Sequence, residues 1–424
     1  MSGRCWAWPA AIGAAGVAWY VSDSLRHRRE GAFGYNLAAP PAVDSDDFLR
    51  AAESLTGAPL SEGNDVELLI NGDQIFPAFL KTIRGTKRTL CVQTYVYWRG
   101  DVAEKVAAAI CERAKAGVEC RVILDALGAA KMDRSLIDSM KDSGVRVVRF
   151  RPPKPYTLRR LANRTHRRIL VADGRVAGGV GIAAEWTGNA QDPDHWRDTH
   201  VRVHGPVVRG LAGAFAENWL EATGEVLAGE KHLPHLGPVD GGGRMQVVRS
   251  SAGVGDTNVE ALYYPAIASS SRSIALTAAY FVPRPAFLEA LTKAAERGVE
   301  VRILVPGPYI DKALVRLAGR AAYEPLAASG ARIYEYQPTM LHAKTMVVDG
   351  AWSSVGTVNF DNRSFQLHDE VTLCVFDQEF AGLLTQTFDE DLRSAAEIVP
   401  DRWRRRSTTQ RFVERATTLL RREL

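Results

Sequence analysis

Along this chain of 424 residues, apolar and polar positions fall into two similar series. The first opens with an apolar strand, Val66 to Ile70, the turn Asn71-Gly72-Asp73 and a helical stretch from Gln74 to Ile83. A strand pattern follows in TLCVQTYVYW (89–98). Next come a helix pattern from Val102 to Ala116, stopped by Gly117, and a further strand, VECRVILDAL (118–127). The second series keeps this order. IALTAAYFV (274–282) matches 89–98, PAFLEALTKAAERGVEVRILV (285–305) matches 103–125, and SGARIYEY (329–336) matches SGVRVVRF (143–150). Strands alternating with helices of about 12–15 residues predict α/β units on a largely parallel sheet. A repeat distance of about 180 residues belongs to a duplicated domain, not to a solenoid. The domains are expected at 60–228 and 246–400, joined by a Gly-, Pro- and His-containing linker at 229–245. Residues 22–59 are polar and read as a second linker.

Both series carry the same polar signature on a predicted hairpin. His342, Lys344 and Asp349 are spaced H-x-K-x4-D around the apolar run Thr345 to Val348, with a turn at Gly350. Gly356, Thr357, Asn359, Asp361, Arg363, Ser364 and Glu370 follow. His166, Arg168 and Asp173 repeat the pattern in THRRILVADGRVAGGVGIA. Residues two apart on a strand share a face, so each histidine points the same way as its cation. A lone histidine on a strand is more often a satisfied core residue. Two in matched contexts argue for chemistry.

An imidazole beside a fixed cation, with the Gly356 amide and the Thr357 hydroxyl nearby, suits phosphoryl transfer. A phosphodiester needs an attacking group on one side and a proton for the departing alkoxide on the other. Two histidines supply both, and an ordinary imidazole pKa near 6.5 fits both roles. From the residues alone the two roles are interchangeable. Since each half holds one motif, a shared site requires the halves to pack face to face.

The duplicated motif resembles the phospholipase D superfamily over about residues 60 to 400. GTVNFDNRS after HAKTMVVD, and GGVGIAAEWTGNAQDPDHWRDTHVRVHGP (178–206), resemble its bacterial cardiolipin synthase branch. The resemblance implies duplicated phospholipase D-like α/β/α sandwich domains with pseudo-twofold symmetry and one active site between them. It implies transfer of a phosphatidyl group from one phosphatidylglycerol to another, with release of glycerol, through a phosphohistidine. On this reading His166 is the nucleophile and His342 the general acid and base. Arg168 and Lys344 hold phosphate oxygens, helped by Thr357 and Asn359, and Asp198 and Glu370 orient the imidazoles. Asp173 and Asp349 complete the catalytic motifs and are expected to fix the turns and bind motif backbone. No cofactor or metal is implied.

The first motif departs from the family pattern. Arg168 stands in place of lysine; it stays charged and can grip phosphate bidentately. Asp173 to Gly178 is five residues where Asp349 to Gly356 is seven. The shorter hairpin is expected to keep its strand facing while moving its loop. Gly181 stands where the second copy has Asn359. Two alternatives therefore stay open: a phospholipase D-type phosphodiesterase with water as acceptor, and a catalytically decayed lipid-binding member.

Charge and composition narrow the partners. A net charge of +4 is too small to mark a nucleic-acid binder. Five scattered cysteines (Cys5, Cys91, Cys111, Cys120, Cys374) read as small buried hydrophobes. Cys5 to Val21 is uncharged and apolar, with Arg26, His27, Arg28 and Arg29 shortly after it. It is expected to be an uncleaved membrane anchor with the enzyme on the cytoplasmic side of a bacterial inner membrane. A cleaved signal peptide is the rival, though its positive n-region would be thin. Arg402 to Leu424 reads as a basic amphipathic helix on an anionic membrane, with Phe412, Leu419 and Leu420 on one side. Its rival is a helix capping the domain. Arg159, Arg160, Arg164 and Arg167 are candidates, with Arg168, for drawing in anionic headgroups. Tyr95, Tyr97, Trp98, Tyr280 and Phe281 suit either core packing or a lipid tunnel, and His200 and His204 are read as surface residues.

Overall fold

Two hairpins and two groups of crossover units build one mirrored sheet. The computed structural model describes residues 35–154, 162–252 and 256–417. The apolar N-terminal run, Arg159, Arg160, Leu419 and Leu420 lie outside the described residues. In the unit Met1–Ala38 only residues 35–38 are described, and they carry no helix or strand. Every described element belongs to the unit Ala39–Leu424.

The first series supplies β1 (Leu60–Ile70), β2 (Thr89–Thr94), β3 (Glu119–Asp125), β4 (Arg146–Phe150), β5 (Arg164–Thr165), β6 (Ile169–Ala172), β7 (Arg175–Gly178) and β8 (Thr199–His204). The second supplies β9 (Gly243–Ser250), β10 (Ser273–Ala278), β11 (Glu300–Pro306), β12 (Arg332–Tyr336), β13 (Lys344–Val348), β14 (Trp352–Gly356), β15 (His368–Phe376) and β16 (Ala395–Glu397). Across the sheet the order is β4-β3-β2-β6-β7-β8-β1, then β9-β15-β14-β13-β10-β11-β12-β16. Outward from the antiparallel β1–β9 contact, each strand of one half meets its counterpart in the other, up to the extra β16. The duplication is therefore expressed as a pseudo-twofold.

The sheet is mixed rather than largely parallel. Along this order only β2-β3-β4 and β10-β11-β12 are parallel, joined by crossover helices, and the short β5 adds a parallel pairing with β15 off the main path. The motif hairpins join antiparallel strands. Strand β1 changes partner along its length: Leu60, Ser61 and Asn64 face β9, and Asp65 to Ile70 face β8. Gly63, at φ +71°, sits where the register shifts, and a Cβ there would lie 2.3 Å from Pro238 Cβ. Only glycine fits that corner.

Helices cover both faces. Strand β2 is buried throughout: Leu90 and Val92 enter the core under helices Asn71–Gly85 and Asp101–Lys115, while Cys91 enters the layer on the other face. Strand β10 repeats this, with Ile274 and Leu276 on one face and Ala275 on the other. That second layer takes Phe215 and Trp219 from helix Val208–Thr223 and Phe380 and Leu384 from helix Gln378–Leu392, so both halves share it. Cys91, Cys111, Cys120 and Cys374 are free and buried.

Two stretches are more ordered than their composition suggests. Within 22–59, helix Asp46–Thr56 starts at Ser45, whose Oγ accepts from the Phe48 amide at 3.2 Å. Phe48 and Ala52 enter the second half's core. The C-terminal segment docks through Trp403, 5.1 Å from Tyr323, and through buried Glu414, which pairs with Arg320 and Arg406. Phe412 points away, 73% exposed. Among the described residues no helix is long and apolar enough to cross a membrane.

Candidate active site

The two hairpins lie on opposite sides of the β1–β9 join, and their turns lie at the far end from the histidines. Asp173 (φ +50°) and Gly174 (φ +76°) form a two-residue turn, whereas Asp349, Gly350 and Ala351 separate β13 from β14. Asp173 accepts from the amides of Lys87, Arg88 and Thr89 at 2.6–2.9 Å. Asp349 accepts from the amides of Ser271, Arg272 and Ser273 and from the Ser271 hydroxyl at 2.7–2.9 Å. These carboxylates clamp the entrances to β2 and β10, which removes Asp173 and Asp349 from the reacting centre.

Facing is not preserved in the shorter hairpin. Ile169 faces Gly178, while its counterpart Thr345 faces Val355. One residue is lost from the turn and one from the register. Gly179 then meets Arg168, where a Cβ would lie 2.2 Å from the Arg168 carbonyl carbon.

Each histidine is held by the opposite half. The His166 amide donates to Asp369 O at 2.8 Å, and the His342 amide donates to Arg197 O at 2.7 Å. In both cases the accepting residue directly precedes a carboxylate. His166 Nδ1 lies 3.1 Å from Glu370 Oε1, and His342 Nδ1 lies 2.8 Å from Asp198 Oδ2. With the proton on Nδ1, each imidazole donates to its acid and presents its Nε2 lone pair, which on His342 faces the motif cations. The acids are fixed in turn. Trp186 Nε1 donates to Asp198 at 2.9 Å, Ser364 Oγ donates to Glu370 at 2.9 Å, and the Thr357 hydroxyl also donates to Glu370. Thr357, expected on phosphate, is thus committed to the acid.

Both motif cations gather at His342. Lys344 Nζ is 3.1 Å and Arg168 Nη2 3.3 Å from His342 Nε2, and Arg168 also lies over the Trp186 ring and 3.9 Å from Asp198. Burial pushes His166 down to about 4, against the pull of Glu370. Burial, Lys344 and Arg168 hold His342 well below the ordinary imidazole range. Burial brings Lys344 down to about 7. Burial works against the charge on Asp198 and Glu370. Their basic neighbours outweigh it, holding Asp198 far below the ordinary range and Glu370 at about 2. Both acids are therefore ionised and both imidazoles neutral near pH 7.

A cavity of about 330 Å³ opens on His166, bounded by Tyr95, Tyr280, Lys312, Leu314, Asn359 and His368, among others. Asn359 Oδ1 is buried there without a hydrogen-bond partner among the described residues. The aromatic residues divide: Tyr95 and Tyr280 line this cavity, while Tyr97 and Phe281 are core. Trp98 is partly buried and donates to Gly128 O at 2.8 Å. Two arginines of the basic run are buried in structural contacts, and Arg167 also donates from Nε to the Glu370 carbonyl at 3.2 Å. Arg164 is buried on Asp125, and Arg167 binds Glu217 and the carbonyls of Ala214 and Ser250. His200 is no surface residue either; it borders a smaller hollow with Arg168 and Lys344, and its Nε2 lacks a partner among the described residues.

The motif spacing assigned no role to His368. Its ring centroid is 5.2 Å from that of His166, and its Nδ1 is 3.6 Å from Glu370 Oε1. His166, His368 and Glu370 form the one set of metal-competent side chains found among the described residues, although the motifs suggested no metal. The signal was present: His368 and Glu370 are two apart on β15 and share a face. The roles of Trp186 and Ser364 needed the fold to become visible.

A mirrored sheet with one histidine hairpin from each half defines a phospholipase D-like protein. The comparisons make this specific. A family described as "Cardiolipin synthase, PLD-like domain" matches residues 263–392. The chain is 33% identical over 377 residues to the cardiolipin synthase of Geobacillus sp. (strain WCH70), covering 88% of this chain and 75% of that protein. It is also 33% identical over 354 residues to the probable cardiolipin synthase YwiE of Bacillus subtilis (strain 168), covering 83% and 70%. The crystal structure of phosphatidylserine synthase from Haemophilus influenzae Rd KW20 superposes with a TM-score of 0.67 at 13% identity, over 89% of this chain and all of that one, a likeness of fold. The chain belongs to the cardiolipin synthase family.

Proposed function

We propose that this protein is a membrane-associated phosphatidyltransferase that makes cardiolipin from two molecules of phosphatidylglycerol and releases glycerol. The observation that carries the reading is the crossed pair of imidazole–carboxylate contacts, with Arg168 and Lys344 beside them, in a chain whose relatives are named cardiolipin synthases. The catalytic domains correspond to 60–228 and 246–400, with 229–245 linking them.

His166 acts as nucleophile. It is neutral near pH 7, its Nδ1 is committed to Glu370, and it borders the larger cavity. Its Nε2 attacks the phosphorus of the first phosphatidylglycerol, and the bond from phosphorus to the headgroup glycerol breaks. His342 gives its proton to the departing alkoxide. For this His342 must first be charged, and a phosphodiester anion seated on Arg168 and Lys344 offsets the cations that hold its pKa down. The hydroxyl of the second phosphatidylglycerol then attacks the phosphohistidine, His342 takes its proton, and the Nε2–phosphorus bond breaks to release cardiolipin. Asn359, with its free oxygen on the cavity, positions the glycerol hydroxyls. Exposed Leu314 at the cavity and exposed Phe412 on the C-terminal helix support contact with the bilayer; the cytoplasmic side is proposed from the arginines that follow the N-terminal apolar run.

The test is mass spectrometry of lipids after incubating the purified protein with phosphatidylglycerol vesicles, beside His166→Ala and His342→Ala. Cardiolipin and glycerol from the parent, and neither from the two variants, is the expected result. Phosphatidic acid in their place would make the protein a hydrolase. Liposome binding without turnover would make it a lipid-binding member of the family.

A further inference from the structure

We propose that His166, His368 and Glu370 form a zinc site that switches the transferase off; the switching rests on the function proposed above, the metal site does not. Two nitrogens and a carboxylate oxygen are a common zinc ligand set, and the fourth position is then left to water or substrate. The three ligand atoms lie within 4.8 Å of one another. Atoms about 2.1 Å from a tetrahedral zinc stand about 3.4 Å apart. The distances from Glu370 Oε1 to His166 Nδ1 and His368 Nδ1 are 3.1 and 3.6 Å, on either side of that value. With all three ligand atoms this close, side-chain adjustment brings them onto one metal.

Two further observations point to a ligand. His368 Nδ1 is buried and lacks a hydrogen-bond partner among the described residues, an arrangement that costs free energy unless something occupies it. The shared acid is already held by Ser364 and Thr357, the kind of support that fixes a metal-binding carboxylate. Both imidazoles border the cavity, which gives an ion its way in and leaves the fourth position open.

The consequence for catalysis follows from the tautomer. With Nδ1 bound to zinc, a neutral His166 carries its proton on Nε2. That nitrogen then has no lone pair for phosphorus. No bond to substrate is needed for the block, and removing the ion restores the Nδ1–H tautomer.

The test begins with binding. Metal-stripped full-length protein is titrated with Zn²⁺ against a chromophoric chelator, and separately with Co²⁺ followed by its d–d absorption. The expected result is one tight Zn²⁺ per chain and a tetrahedral Co²⁺ spectrum. His368→Asn and Glu370→Gln should each weaken Zn²⁺ by more than about tenfold and remove that spectrum. Unchanged Zn²⁺ affinity in both variants, or an octahedral Co²⁺ spectrum, would overturn the site. Thermal unfolding checks that each variant is folded, and His368→Gln replaces any His368→Asn that is not. With phosphatidylglycerol vesicles, Zn²⁺ should suppress turnover of the parent, and a chelator should restore it. Tight binding with undiminished turnover overturns the switch. Absence of turnover from the metal-free parent counts against the proposed function, and the titrations still decide the metal site.

Discussion

Glu370 Oε1 lies 3.1 Å from His166 Nδ1, so the carboxylate partner of the first-half histidine is delivered by the second half. Asp198 returns the arrangement to His342 at 2.8 Å. Neither half therefore has a complete imidazole–acid pair of its own. Replacing the acid by its amide keeps the shape and removes the charge that favours the Nδ1–H tautomer. Glu370→Gln should lower kcat about 10²–10⁴-fold with little change in lipid binding. Steady-state kinetics on phosphatidylglycerol vesicles, with a vesicle-binding assay alongside, check both halves of that statement. An equal loss in binding and kcat would remove Glu370 from an orienting role.

Arg168 offers a second test, because it contacts both ring nitrogens of His342. Truncating it to Met keeps much of the side-chain volume and deletes the cation. The expected loss in kcat/KM is about 10²–10³-fold, the scale of removing one preorganised charge from a dry site. Arg168→Lys should recover part of that loss. A parent-like Arg168→Met would make the residue structural.

The pH profile has two limbs of known sign. His166 must be neutral to attack, so kcat/KM should rise with pH through about 4. Lys344 must be charged to hold phosphate and His342 must be charged to protonate the leaving alkoxide, so kcat/KM should fall as pH rises, with the Lys344 contribution lost through about 7. Lys344→Arg keeps its charge at all these pH values and should move the alkaline limb upward. An alkaline limb that stays in place would assign it to another group.

Asp349 should separate stability from chemistry. Its carboxylate accepts three backbone amides and one hydroxyl at the entrance to β10, far along the hairpin from His342. Asp349→Ala should cost about 2–4 kcal/mol, since it leaves part-buried donors without their charged acceptor. Chemical denaturation reads the loss. Turnover of the folded fraction should stay close to the parent's, and a large fall in kcat at full folding would return Asp349 to the reacting centre.

Much of the fold was legible because its signals are local. Periodicity placed β2, helix Asp101–Lys115, β3, β10, helix Pro285–Glu296 and β11 within a few residues. Internal repetition announced the duplication, and the Asp-Gly pairs announced both hairpins. Helix Asp46–Thr56 carries a local signal as well, the Ser45 cap followed by Phe48, Leu49, Ala52 and Leu55 at helical spacing, but the polar composition of the surrounding stretch reads as a linker. Arg164 and Arg167 read as a basic face because one-dimensional spacing does not reveal Asp125 and Glu217, the partners that allow them to be buried.

The sequence by itself determined the elements, the two matched histidine–cation hairpins and the family. Such features depend on backbone periodicity and on residue types a few positions apart. Only the tertiary structure decided which acid serves which histidine, since those contacts join residues 204 and 144 positions apart. It decided likewise that Asp173 and Asp349 hold backbone, that both cations sit at His342, and that His368 stands beside His166. Each depends on distances of a few ångströms between residues far apart in the chain, and the histidine contacts of Arg168 and His368 cross the β1–β9 join. Chain spacing carries no record of such distances, because packing of the two halves sets them.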